Sequence, residues 1–293
     1  IDFKLSPIQQ RNLEIFFDRK VIDRTQVILE IFGARAISKE GKIQVDLASL
    51  TFQKTRLVRS WSHLERQRGG AGFLGGPGER QIELDRRILD SKIKSLKKEL
   101  KKIVRTRDLQ KNNRNKSTAI QVSLVGYTNT GKSSLFNELT NSKVLAKNML
   151  FATLDPTLRL ISYPHSIKQK IILSDTVGFI SSLPTELIQS FRSTLDYITQ
   201  SDLILIVHDL SDNEILTKSD IIYNTLKHLG LSNSFLKKNV INVYNKIDMI
   251  KDNENVKKFY ENEDSIFTCA FDKENISALK QKIFRYVNRL GIK

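Results

Sequence analysis

The stretch with the most specific chemistry is Gly126-Tyr127-Thr128-Asn129-Thr130-Gly131-Lys132-Ser133, followed by Ser134. It fits the pattern G-x-x-x-x-G-K-[ST]. The apolar run Ile120 to Val125 precedes it, and Leu135 and Leu139 follow at helical spacing. In a strand–loop–helix of this kind, successive backbone N–H groups wrap the α- and β-phosphates of a nucleotide. The lysine reaches the β- and γ-phosphates, and the following hydroxyl completes a Mg²⁺ shell. Lys132 and Ser133 are the residues placed for those two tasks.

Further stretches complete a nucleotide site. Asp175-Thr176-Val177-Gly178-Phe179 follows the apolar Ile171 to Leu173; an aspartate there can hold Mg²⁺ through water, and a glycine N–H can meet the γ-phosphate. Asn245-Lys246-Ile247-Asp248 follows the strand-like Val240 to Tyr244. The Asp248 carboxylate can accept from guanine's N1–H and 2-amino group, where adenine offers no matching donors. The Lys246 stem can cover the ring, Asn245 can tie this loop to the phosphate loop, and Cys269-Ala270 can add a backbone contact to the base. In Phe151-Ala152-Thr153-Leu154-Asp155-Pro156-Thr157, a threonine could ligate Mg²⁺ only when the γ-phosphate is present. Thr153 is preferred, with Thr157 the alternative. Phe179 stands where Ras-like enzymes carry a water-orienting glutamine, so slow unaided hydrolysis is expected. Scattered histidines and one cysteine offer no metal cluster, nucleophile triad or internal disulfide as a competing chemistry.

These motifs need a scaffold. Apolar segments at 120–125, 158–162, 170–174, 202–208, 240–244 and 265–269 alternate with helical patterns. They predict an α/β fold over 119–293, a mostly parallel, doubly wound sheet; together with the motifs above it resembles a Ras-like P-loop GTPase domain. Tyr163-Pro164-His165-Ser166 is too short to hold a helix, so the second and third strands should form one antiparallel hairpin.

Residues 1–46 look like the end of an α/β domain with part of its chain outside this sequence. Ser6-Pro7-Ile8-Gln9 and Asp23-Arg24-Thr25-Gln26 read as helix starts. Leu13, Phe16 and Phe17 are expected to face a core, and Val21-Ile22 to form a short strand. Over 47–118, two rows of apolar residues at heptad spacing predict an antiparallel helical hairpin. Leu47, Leu50, Leu57, Trp61 and Leu64 make one, interrupted by Lys54. Ile82, Leu89, Ile93, Leu96, Leu100 and Ile103 make the other, with Arg86 at the site lacking an apolar residue. A glycine-rich tip joins them, with Pro77 opening the second helix.

Of the net charge of +16, residues 1–118 carry +13 and the remainder only +3. A basic excess outside the nucleotide motifs points to a polyanionic partner. Arg66, Arg68, Arg80, Arg86 and Arg87 surround the tip, which also holds Phe73 and Leu74, a combination suited to RNA phosphates and unstacked bases. The longest apolar run, Leu203 to Val207, is far short of a membrane span.

On these residues the chain resembles the HflX family of translational GTPases, within the Obg–HflX group. The resemblance rests on Asp23-Arg24-Thr25 with Ile28-Leu29-Glu30-Ile31-Phe32, on Gly41 to Ala48, and on Trp61-Ser62-His63-Leu64-Glu65-Arg66-Gln67. The loop GGAGFLGGPGE, Asp85-Arg86-Arg87 and the stretches FATLDPT, DTVGF and NKID complete it. It implies GTP as substrate, GDP as product, Mg²⁺ as cofactor, and docking of the first two domains on the large ribosomal subunit and its rRNA. Ribosome splitting or rescue is the implied role, by a monomer in a bacterial cytoplasm, a mitochondrial matrix being the alternative. Departures are Phe73-Leu74-Gly75 where many relatives have a threonine–arginine pair, and Cys269 in place of the usual serine. The competing reading is an RNA-binding or ribosome-assembly factor in which hydrolysis is incidental. An ATP-dependent remodeller conflicts with Asp248.

Overall fold

The computed structural model describes residues 1–67, 77–114, 119–142, 156–161, 170–180, 192–250 and 253–289; at 58–67, 77–82, 107–114, 192–194 and 253–254 only the backbone is described. Two compact units result, the first formed by the described residues of 1–110 and the second by described residues from 111 onward.

In the first unit, Ser6 caps α1 (Pro7–Phe17) through a reciprocal box with Gln9, and Asp23 caps α2 (Arg24–Arg35) by accepting from the Gln26 N–H at 2.9 Å. Asp23 is fully buried and also accepts from Arg56 at 2.5 Å, so one carboxylate ties the start of α2 to α3 (Lys39–Gln67). Ile28, Leu29 and Phe32 of α2 are buried, as are Val45, Ala48 and Phe52 of the helix it packs on.

Two expectations for this segment fail. Val21-Ile22 is not a strand. The Val21 N–H donates to Glu14 Oε1 at 3.1 Å and its carbonyl accepts from Gln10 Nε2 at 2.5 Å, so side chains of α1 satisfy backbone that a ladder would otherwise occupy. Phe16 and Phe17 do not face a core either: they are 80% and 55% exposed, paired edge-to-face. The inward side of α1 is the Gln10–Leu13–Glu14 face, turned there by those hydrogen bonds, and Leu13 is only half-buried.

Helix α4 (Pro77–Arg114) opens at Pro77. Lys39 meets Glu99 at 2.8 Å and Lys54 meets Asp90, so later residues of α3 pair with earlier residues of α4 and the two run antiparallel. Lys54, the polar break in its seam, is thereby matched. Along α4, Ile93 is buried and Leu89, Leu96, Leu100 and Ile103 are half-buried between exposed Lys92, Lys94, Lys97, Lys98, Lys101 and Lys102. At 1.5 Å per residue the 29 and 38 residues of α3 and α4 span about 43 and 57 Å. The glycine-rich tip, with Arg68, Phe73 and Leu74, lies outside the described residues.

The second unit is a six-stranded sheet in the order β2-β3-β1-β4-β5-β6: β1 (Ile120–Gly126), β2 (Thr157–Leu160), β3 (Ile171–Asp175), β4 (Leu203–Asp209), β5 (Val240–Asn245) and β6 (Ser265–Phe267). Every pairing is parallel except β2 with β3, which runs antiparallel from Thr157↔Asp175 to Leu160↔Ile172, as the short connection required. The connection itself, including Tyr163 to Ser166, lies outside the described residues. The central strands are mostly apolar because helices cover both faces, buried polar residues such as Ser123 and Ser174 being hydrogen-bonded to each other. Leu135, Phe136 and Leu139 of α5 (Lys132–Thr140) share a core with Leu279, Ile283 and Val287 of the helix Lys273–Arg289. The parallel strands β3, β4 and β5, of which β4 and β5 are neighbours and β1 separates β3 from β4, end in Asp175, Asp209 and Asn245, so their polar termini collect on one edge of the sheet.

Candidate nucleotide site

Strand β1 delivers the chain to a loop that only glycines can form. A Cβ on Gly126 would stand 2.4 Å from the Val207 carbonyl of β4, which fixes how closely the loop crosses the next strand. Gly131 has φ +92, and a Cβ there would stand 2.3 Å from Asn245 Nδ2. Helix α5 begins at Lys132, so its unpaired N-terminal N–H groups and the positive end of its dipole belong to this loop. Thr130 and Lys132 both donate to the Tyr127 carbonyl, at 3.1 and 2.6 Å.

Lys132 is 7% exposed. Burial pulls its ammonium down from 10.5 to about 8, and the Asp175 carboxylate offsets part of that. A cation so little compensated by its own protein favours an incoming polyanion. Ser133 Oγ donates to Asp175 Oδ2 at 2.7 Å. A hydroxyl and a carboxylate that meet in this way are hard oxygen donors suited to Mg²⁺, which takes few protein ligands and keeps several waters.

The Asp175–Phe179 segment is held against the phosphate loop by backbone. Phe179 N–H donates to the Gly126 carbonyl at 3.0 Å, and its carbonyl accepts from Thr128 N–H at 2.8 Å. Thr176 Oγ1 donates to the Leu124 carbonyl at 2.7 Å. Gly178 lies over the loop, where a Cβ would come within 3.0 Å of Thr128 Cα. The Phe179 side chain is buried, 2% exposed. Val177 is half-buried between them. Beneath, Ser123 Oγ is 2.6 Å from Ser174 Oγ and 2.5 Å from Ser201 Oγ, which joins β1 to the strand bearing Asp175.

Asn245 joins this half of the site to the other. Its Nδ2 donates to the Thr130 carbonyl at 2.9 Å, and its Oδ1 accepts from Thr268 Oγ1 at 3.2 Å, both buried. Thr268 opens the Thr268-Cys269-Ala270 turn that the sequence offers as support for the base, but its hydroxyl bond to Asn245 was not foreseen from sequence. Lys246 takes the left-handed conformation, φ 63, and Asp248 is exposed in the 3-10 turn Ile247–Met249. Cys269 and Ala270 are buried; burial pushes the Cys269 thiol up, and Asp248 adds to it. The Tyr244 ring, stacked between His208 and Phe267, supports the loop from below.

The structure thus gathers Gly126–Ser134, Asp175–Phe179, Asn245–Asp248 and Cys269–Ala270 around one edge of the sheet. Phe151 to Asp155, including Thr153, lie outside the described residues, as do the side chains of Arg66 and Arg80. Thr157 opens β2 opposite Asp175. Arg86 and Arg87 are on α4 of the other unit, exposed, with Arg87 paired to Glu83 at 2.5 Å. Sequence reasoning missed Asp209, which accepts from Lys246 Nζ at 2.5 Å, and Lys218, whose ammonium is 5.2 Å from the centre of the Tyr127 ring. Asp209 had a signal: an acidic residue ending an apolar strand beside two others that end in motif residues.

The chain is similar to several known proteins. Family models described as GTP-binding GTPase N-terminal, GTP-binding GTPase Middle Region and 50S ribosome-binding GTPase match residues 1–33, 35–114 and 121–246. A GTPase HflX of Magnetococcus marinus is 47% identical over 289 residues, covering 99% of this chain and 66% of the relative. One of Escherichia coli is 45% identical, covering 86% of this chain and 58% of the relative. One of Flavobacterium psychrophilum is 38% identical, covering 99% and 73%. The chain therefore spans roughly three-fifths to two-thirds of several of these relatives. Among solved structures, a GTP-binding protein from the archaeon Sulfolobus solfataricus in complex with GDP aligns over 99% of this chain and 80% of its own, with TM-score 0.55 and 25% identity.

Proposed function

The chain belongs to the GTPase HflX family, and from that membership we propose that it binds guanine nucleotides and hydrolyses GTP while associated with the large ribosomal subunit. The observation that carries the nucleotide part is the Asn245 side chain, which bonds the phosphate loop from the strand end that also bears Lys246 and Asp248. One residue thereby sets the distance between the phosphate end and the base end of a ligand. Asp248 supplies the acceptor that selects guanine.

Lys132 and the N–H groups at the start of α5 hold the phosphates, and Gly178 N–H lies next to the γ-phosphate position. Ser133 and Asp175 would hold Mg²⁺, Asp175 through water. The ion, when bound, neutralises charge developing on the β- and γ-oxygens. Phe179 offers no group to orient water, so turnover is slow until a partner completes the site. The partner reading is supported by the name 50S ribosome-binding GTPase of the matching family and by the lysine-covered face of α4. Nucleotide-gated splitting or rescue of ribosomes by a monomeric, cytoplasmic protein fits that reading, with rRNA contacts at Arg66, Arg68, Phe73, Leu74, Arg80, Arg86 and Arg87. No helix among the described residues is long and apolar enough to cross a membrane.

The test is twofold. Fluorescent GDP should be displaced by GTP and not by equal ATP, and large ribosomal subunits should raise GTP turnover. Displacement by ATP refutes the base assignment; turnover indifferent to subunits refutes the partner. The assembly-factor alternative draws on the +13 charge of residues 1–118. Ribosome binding by a Lys132→Ala chain as tight as by wild type would favour it.

A further inference from the structure

The polar ends of β3 and β5 belong to the site already described, but the end of β4 does not. Asp209 sits there with a 14% exposed side chain. One carboxylate oxygen accepts from Lys246 Nζ at 2.5 Å. The other accepts from the Ser211 N–H at 3.0 Å and the Ser211 hydroxyl at 2.6 Å. The Leu210 N–H donates to the Asn245 carbonyl at 3.0 Å, so backbone also anchors this turn to the NKID loop. The carboxylate is therefore oriented before it meets the lysine.

The turn has a second hold. Asp212 accepts from Lys218 at 2.5 Å, Glu214 lies 3.2 Å from the same ammonium, and Lys218 stands over the ring of Tyr127 in the phosphate loop. Residues 209–214 thus reach Lys246 on one side and the phosphate loop on the other. Lys246, with a 24% exposed side chain and a left-handed backbone, has four rotatable carbons and no other ion-pair partner among the pairs formed by described residues. Without an anchor such a stem samples many rotamers, and ordering it on binding costs affinity.

We propose that Asp209 is a positioning residue for the guanine base. It draws the Lys246 ammonium toward the end of β4, so that the aliphatic stem is laid across the purine face before the nucleotide arrives. This inference rests on the guanine-nucleotide reading and adds a fourth strand end to the site. It separates two tasks: Asp248 reads the base edge, and Asp209, through Lys246, presets the cover on its face. An exposed ion pair would contribute little. This one is largely withdrawn from water and oriented by Ser211, so its loss is felt at the base.

The test is equilibrium binding of fluorescent GDP to wild type, Asp209→Asn, Lys246→Met and the double variant, with inorganic pyrophosphate as a competitor. Lys246→Met keeps the apolar stem and removes the ammonium. Each single change should weaken GDP about tenfold, the factor for one charge-assisted hydrogen bond, and the double variant should be no weaker than the poorer single. Pyrophosphate affinity should not move, because the phosphate loop is untouched; general damage to the fold would weaken both ligands. Losses that add in the double variant, a parallel loss for pyrophosphate, or an Asp209→Asn chain that binds GDP like wild type each overturn the proposal. A wild-type chain that binds no GDP overturns the underlying nucleotide reading as well, and is recognised before any variant is compared.

Discussion

Replacing Gly131 by alanine isolates the contact on which the nucleotide site depends. Two costs follow from the geometry. A Cβ at φ +92 disfavours the conformation by about 1–2 kcal/mol. That Cβ would also stand 2.3 Å from Asn245 Nδ2, so the bond from Asn245 to the Thr130 carbonyl must break. Loss of a buried hydrogen bond of this kind costs roughly 1–3 kcal/mol. The sum, about 2–5 kcal/mol, corresponds to a GDP affinity roughly 30- to 4,000-fold weaker. In the nucleotide-free chain the loop can relax away from the strain, so the effect should fall mainly on binding and only modestly on melting temperature. Titration of fluorescent GDP measures it directly. In an Asn245→Ala background the clash is gone, and the same glycine substitution should cost only the backbone part. Equal losses in both backgrounds, or a Gly131→Ala chain within threefold of wild type, would refute the reasoning.

Burial sets the pKa of Lys132 at about 8 in the free protein, and phosphates would restore the ammonium. Below about pH 8 the charge is already present and affinity is flat; above it, binding must take up a proton and affinity falls by up to about tenfold per pH unit. Calorimetry in two buffers at pH 8.5 should show uptake of about three-quarters of a proton. A Lys132→Arg chain, charged throughout, should lose that term; an unchanged uptake would count against it. Asp23→Ala removes both the cap of α2 and the anion facing Arg56, and should destabilise the first unit by about 2–4 kcal/mol. Thermal melting should show this while GDP affinity stays unchanged. Gly178→Ala would push its methyl into Thr128; GTP binding, followed with a non-hydrolysable analogue, should weaken more than GDP binding, and equal weakening would contradict the γ-phosphate role.

What could be read from sequence was whatever local chemistry dictates. The six strands follow from apolar runs, the single antiparallel pair from a connection too short to cross over, and the starts of α1 and α2 from side chains that cap them. That the motif stretches around Gly126–Ser133, Asp175–Phe179 and Asn245–Asp248 would gather at one sheet edge was legible because each follows an apolar strand. Long-range choices were not. Gln10 and Glu14 look like surface residues of α1, yet they satisfy the backbone of Val21 and leave Phe16 and Phe17 outward. Periodicity records which residues are apolar, not which face a distant carbonyl will claim. Asp209 carried only a partial signal, an acidic residue ending an apolar strand: its partner is 37 positions away, and nothing near it in sequence shows that the two strand ends are neighbours.

Phe179 shows how far backbone and side chain can divide a task. Its N–H and carbonyl pair with Gly126 and Thr128, which places Gly178 over the phosphate loop regardless of what the side chain is. The ring goes into the interior, where a glutamine would bury an amide at a cost of roughly 1–3 kcal/mol unless it found partners. A glutamine here would thus have to leave the interior before it could orient water, and the backbone pairing opposes that movement. Position 179 therefore favours a firmly docked segment over unaided catalysis. On the GTP-hydrolysing reading proposed above, a site built this way would hold its nucleotide in a defined geometry until the missing group arrives, and turnover would depend on whatever surface supplies it.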